Sequence, residues 1–222
     1  MRYTISGSTM QTLVIELGAG DSVFSETGSL LLMSDGVTMK TSGGGLGGAI
    51  ARRLSGNSLF LNFFEGRGSG EEVMFTTRMP GHIVPLDMRD HDDIVVQRHA
   101  FLCAESTVDY ATAFTLRLGR FLGGNGLLFN RVRGNGMAFV SIDGEVVERT
   151  LDRGESILVH PGHVACFSAS VDYRTELMKG VRNVLFGGDG LYLIRLTGPG
   201  HVWMHSLSVH NLQEVLLEGA RS

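Results

Sequence analysis

The sequence predicts an all-β protein built from three related modules, with the first and last segments of the chain sharing one of them. Three observations carry this expectation: an 18-residue pattern written three times, a second set of turn landmarks with matching spacing, and abundant glycine with little proline. Glycine fills 31 of 222 positions and proline only 4, about twice the average glycine share. That balance suits many tight turns between strands.

The pattern is clearest from Gly154 to Val171: an acidic turn, an apolar strand, a tight turn and a second apolar strand. His91 to Val108 repeats it 63 residues earlier, and Gly20 to Val37 repeats it 134 residues earlier. The second landmark is Gly56-Asn57-Ser58, Gly124-Asn125-Gly126 and Gly188-Asp189-Gly190. These turns place residues that tolerate positive φ. Each is followed by a strand and a Gly-x-Gly turn, at Gly66/Gly68, Gly134/Gly136 and Gly198/Gly200. Together the landmarks give a period of about 65 residues. The expected modules are about 38–108, 109–171, and 172–222 completed by 1–37. Closure by the N-terminal segment makes one compact unit, a circularly permuted ring with pseudo-threefold symmetry.

The intervening segments read as strands. Met137–Ile142 and Phe114–Leu118 are apolar or alternating, as half-buried β-structure requires. Helix is sparse. Leu46, Ile50 and Leu54 recur at helical spacing, so 47–54 predicts a short helix, and Asn211–Glu218 predicts another, capped by Asn211 or Ser208.

Composition sets limits on function. A chain that is 43% hydrophobic and 19% charged is globular and soluble in type. No run of 18 apolar residues suggests a membrane-spanning helix. The N-terminus lacks a signal-peptide pattern, so the expected location is cytoplasmic. A net charge of −4 opposes general binding to nucleic acid, which needs Lys and Arg aimed at phosphates. Two cysteines do not make a disulfide framework.

Comparing the repeats sorts the chemical candidates. His160 and His163 are the sharpest metal pair, but their counterparts are Gln97 and Glu26, and Ala100 and Ser29, a mixture that argues against a shared metal-binding role. No metal site or cofactor is expected. Cys103 and Cys166 share one place with Leu32, which predicts a core position rather than a reactive thiol. Asp87, Arg89, Asp90, His91, Asp92 and Asp93 form a charged run, and Asp92 aligns with Asp21 and Glu155 as a turn residue. Gly43–Gly48 lacks the ending of a phosphate-binding loop and a βαβ setting. Ile50, Arg52, Arg53 and Leu54 would place two cations beside apolar residues, a pattern for peripheral contact with an anionic membrane. His201, Trp203 and His205 alternate along the last strand, and form either a packing face between modules or a subunit interface. No catalytic residues are assigned.

Gly154-Glu-Ser-Ile-Leu-Val-His-Pro-Gly-His-Val-Ala-Cys-Phe, Leu185-Phe-Gly-Gly-Asp-Gly-Leu, Gly198-Pro-Gly-His-Val-Trp and Met79-Pro-Gly-His-Ile-Val together resemble the altered-inheritance-of-mitochondria protein twenty-four family, over nearly the whole chain. The resemblance implies a fold like the Trp RNA-binding attenuation protein: three short double-stranded β-helix modules, each a small β-sandwich, around a pseudo-threefold axis. It implies no established enzymatic activity, and its fungal branch links the family to inner-membrane organisation. The resulting expectation is a non-enzymatic scaffold or assembly protein, a homo-oligomer formed through sheet faces or edges, acting near a membrane. The alternatives are a small-molecule or metal-binding β module and, by fold analogy alone, an RNA-binding protein.

Overall fold

Burial follows the two-residue period of the sequence. Along Thr12–Leu17, Leu13, Ile15 and Leu17 are buried and the residues between them are not, because successive strand side chains point to opposite faces. Other strands bury continuous runs: Val23 to Glu26, Ile94 to Gln97, Phe101 to Ala104, Val164 to Phe167 and Ala138 to Ser141. A strand buried on both sides lies at the centre of a layered structure, and these five do.

The computed structural model describes residues 1–41, 61–116, 126–178, 191–209, 212, 213, 215 and 216. The expected helix at 47–54, the Gly43–Gly48 loop and the candidate membrane residues Ile50, Arg52, Arg53 and Leu54 lie outside the described residues, as does Asn211. Helical backbone is present at 209, 212, 213, 215 and 216, opened by the Leu212 N–H donating to the Ser208 carbonyl at 3.1 Å.

Nineteen strands fall among the described residues. They are β1 (Arg2–Ser6), β2 (Thr12–Leu17), β3 (Ser22–Glu26), β4 (Leu30–Met33), β5 (Val37–Thr41), β6 (Leu61–Gly66) and β7 (Glu71–Thr76). Next come β8 (Gly81–Asp87), β9 (Asp93–Gln97), β10 (Phe101–Glu105), β11 (Val108–Leu116), β12 (Leu127–Gly134) and β13 (Met137–Asp143). The last are β14 (Val146–Leu151), β15 (Ser156–Val159), β16 (Val164–Ser168), β17 (Asp172–Met178), β18 (Leu191–Thr197) and β19 (Gly200–His205). The protein is all-β. Its strands form four sheets: I, β1-β2-β7-β4; II, β5-β6-β3-β10-β13-β8; III, β11-β12-β9-β16-β19-β14; and IV, β15-β18-β17. Every strand pair is antiparallel.

Among the described residues, three apolar clusters fill the spaces between the sheets. One joins I to II through Leu13, Ile15, Phe64, Phe75 and Phe139. The second joins II to III through Phe24, Tyr110, Val140, Cys166 and Trp203. The third joins III to IV through Phe129, Phe167, Ile194 and Leu196. Cys103 and Cys166 are fully buried, and burial pushes both thiols well above their ordinary pKa.

The central registers of sheets II and III match. In II, Cys103 opposes Ser25 on one side and Phe139 on the other. In III, Cys166 opposes Val96 and Trp203. The ladders slip by one residue between Phe101 and Cys103, between Val164 and Cys166, and between Leu30 and Leu32 in sheet I. Such a bulge bends a strand and increases its twist. The core expectation fails at Leu32, which is 47% exposed. The cause is tertiary: β10 and β16 have neighbours on both sides, whereas β4 is the outermost strand of its sheet.

Candidate functional site

The turns at one end of the strands gather the polar side chains that the core excludes. Glu26 closes β3 and is 7% exposed. Tyr110 on β11 donates its hydroxyl hydrogen to Glu26 Oε1 at 2.9 Å, and the Asn130 amide donates to Tyr110 Oη at 2.7 Å. Arg98, in the 3-10 turn Arg98–Ala100, places Nε 3.2 Å from Glu26 Oε2. This network links strands of sheets II and III, and buried charge is tolerated there because each carboxylate oxygen has a donor.

Beside it lies a cavity of about 380 Å³. Its wall takes Ser29 from before β4, Gln97 from β9, His99 from the adjoining turn, Ser141 and Asp143 from β13, Gly162 from the 3-10 turn Pro161–His163, His205 from β19, and Ser208 beyond it. Phe101, Leu102, Leu127 and Met79 supply apolar surface, and Arg78 completes the rim. The volume falls within the range of small-molecule sites, which pair an apolar lining with a few placed polar groups.

The polar half is electrostatically tuned. The Asp143 N–H donates to His205 Nδ1 at 2.8 Å, so that nitrogen carries a lone pair and the imidazole is neutral. His163 Nδ1 lies 2.7 Å from the His205 carbonyl and must be the donor, since a carbonyl only accepts. Burial, followed by the nearby His163, pushes His205 down to about 4. Burial alone pushes the Asp143 carboxyl up to about 6. His99 is lowered as well, by burial first and Arg78 next. Ser208 is 1% exposed, and its Oγ is buried without a hydrogen-bond partner. Gly162 is needed beside it, because a Cβ there would sit 2.6 Å from Ser208 Oγ.

The residues singled out in the sequence are distributed unevenly around this cavity. His160 and His163 meet edge to face with ring centroids 5.6 Å apart. His160 Nδ1 accepts from the Gly162 N–H at 3.3 Å, an N-cap contact, so each ring uses one nitrogen on the backbone. No group of three His, Cys, Asp or Glu side chains suited to a metal ion occurs among the described residues. The charged run lies elsewhere, at a groove of about 740 Å³ lined by Asp87, Arg89, Asp90 and His91. Arg89 pairs with both carboxylate oxygens of Asp87 and holds that carboxyl down to about 2. Asp93 is matched by Arg131 at 3.2 Å. Trp203 is 4% and His205 5% exposed within a single chain, so only His201 of the proposed interface trio offers surface. Sequence reasoning missed Glu26 and Ser208 as buried polar groups and Asp143 as a partly buried one.

A second feature is apolar. Leu31, Leu32 and Met33 on β4 are 52%, 47% and 38% exposed, and Leu158 on β15 is 41% exposed. β4 and β15 are the terminal strands of sheets I and IV, each with a neighbour on one side only.

Comparison with known proteins agrees with the earlier resemblance. A family model described as "Mitochondrial biogenesis AIM24" matches residues 3–207. An uncharacterised protein of Streptococcus pyogenes serotype M6 is 30% identical over 227 residues, covering 97% of this chain and 90% of that protein. A crystal structure of a Streptococcus pyogenes protein matches with a TM-score of 0.80 at 26% identity, covering 98% of both chains.

Proposed function

The chain belongs to the Mitochondrial biogenesis AIM24 family, and we propose that it is a non-enzymatic scaffold that acts by assembling with copies of itself. The observation that carries this reading is the pair of open apolar sheet edges on β4 and β15. An exposed apolar edge is a template for pairing with another strand, and proteins blunt such edges when no partner is intended. Here four exposed leucine and methionine side chains occupy the two edges, with no lysine or proline in either strand. The matched registers of sheets II and III also support the reading of three modules, in which the ends of the chain supply the parts of the third.

Light scattering should give a mass that is a multiple of the 24.0 kDa chain. A monomer at micromolar concentration removes the proposal. Membrane contact through Ile50, Arg52, Arg53 and Leu54 belongs to the wider scaffold hypothesis, and the assembly reading does not depend on it.

A second reading, small-molecule binding, is favoured by Ser208 Oγ, buried without a partner at the cavity. Unpartnered buried hydroxyls are uncommon because each forfeits its hydrogen bond to water. Native mass spectrometry should then show a retained ligand, or a metabolite at 100 times its dissociation constant should add about 2.7 kcal/mol in a thermal-shift screen. Bare protein mass together with an unresponsive screen removes this reading.

A further inference from the structure

Sheets II and III show how the edges of sheets I and IV are meant to be covered. In sheet II the centre is the antiparallel pair β10–β3, with Cys103 opposite Ser25 and Ala104 opposite Phe24. In sheet III it is β16–β9, with Cys166 opposite Val96 and Phe167 opposite Val95. By the repeat spacing, β4 corresponds to β10 and β16, while β15 corresponds to β3 and β9. Laid end to end across β4 and β15, sheets I and IV reproduce the six-strand order of the other two, with β1 added outside.

The burial contrast agrees. Cys103 and Cys166 are 0% exposed where the neighbouring strand is present, and Leu32 is 47% exposed where it is absent. Leu158 is 41% exposed, against 4% for Val95 and 1% for Phe24 at the matching places. Each chain thus satisfies two such junctions internally and leaves one strand of each kind unpaired. The two free strands differ, so no twofold axis passes through a single junction, although two copies that make it reciprocally would be related by one. Each junction is head-to-tail, and such contacts close into rings when the rotation between copies permits.

We infer that β4 of one copy pairs antiparallel with β15 of a second copy, with Leu32 opposite Val159 and Met33 opposite Leu158. The inference rests on the assembly reading above and specifies its strand, register and polarity. Each contact would join sheet I of one copy to sheet IV of the next as a continuous sheet.

The test uses full-length Met33→Cys and Leu158→Cys variants, purified separately, mixed in equal amounts and oxidised. Both sites are exposed, and the native Cys103 and Cys166 are buried, so folding and background cross-linking are controlled. The expected product is a disulfide-linked pair at twice the 24.0 kDa chain mass, formed in the mixture and far less when Ser156→Cys replaces Leu158→Cys. The doubly substituted chain gives a further readout. An internal disulfide at monomer mass means that one chain closes its own edges, and it overturns the inference. A multiple of the chain mass without the register-specific link also overturns it while leaving assembly standing. Monomer mass with no link overturns both.

Discussion

Replacing Asp143 by Asn should give a protein that, relative to the wild type, loses on the order of 2 kcal/mol more stability as pH falls from 6 to 4. Two groups that line the cavity act in opposite senses. The unfolded chain protonates His205 near its ordinary 6.5, whereas the folded chain resists until about 4. Stability from neutral His205 is therefore present above pH 6.5 and is lost as pH falls through that window, on the order of 3 kcal/mol in all. Asp143 is the reverse, since its folded carboxyl holds a proton up to about 6 and the unfolded one releases it near 3.8. Its contribution is present below 3.8 and lost as pH rises through 6. Because Asp143 is partly exposed, solvent screening reduces this to about 2 kcal/mol.

In the wild type the two slopes oppose each other between pH 4 and 6, and the profile stays shallow there. Asp143→Asn leaves the His205 slope uncovered. His205→Gln leaves that of Asp143, so its stability should decline instead as pH rises over the same range. Urea denaturation at half-unit pH steps measures both, and groups common to all three proteins cancel in the differences. Parallel profiles for the three proteins would exclude the coupling of these sites to folding.

Phe24→Ala should cost about 3–5 kcal/mol, the range for removing a buried aromatic ring from a close-packed core. Phe24 is 1% exposed. Its ring centroid lies 5.7 Å from Phe63, 5.7 Å from Phe101 and 6.0 Å from Tyr110. The void would open beside the ring whose hydroxyl holds Glu26, so packing loss and weakened polar anchoring add. The denaturation midpoint should fall steeply with little change in the urea slope, since the surface exposed on unfolding is nearly unchanged. A loss below about 1 kcal/mol would mean that the core collapses to fill the site.

What the sequence revealed depended on local periodicity. Val37, Val108 and Val171 align in the repeats, and all three are buried at 4%, 1% and 3% exposure. The aligned cysteines are buried too, because strand alternation and shared turn spacing fix which face a residue takes. Leu32 has the same local signals and is nevertheless exposed, since its burial depends on a neighbouring strand that no nearby residue encodes. Asp143 and Ser208 gave no signal for a related reason. Each is an ordinary strand-end or loop residue, and only the approach of β13, β19 and the turn at Gly162 removes water from around them. Glu26 read as one member of a variable turn position, with Gln97 and His160 as its counterparts. Its partners Arg98 and Tyr110 lie 72 and 84 positions away, too far for any local pattern to join them.

Sheets II and III each form a wall shared by two apolar interiors, while I and IV each face only one. Cutting the chain at a module limit would strip one interior of a wall built from strands distant in sequence. Near residue 37, such a cut would remove β3 from the middle of sheet II and expose Phe24 and Val23 together. The centre therefore stands or falls as one cooperative block, and only the two outer layers are free to peel away first.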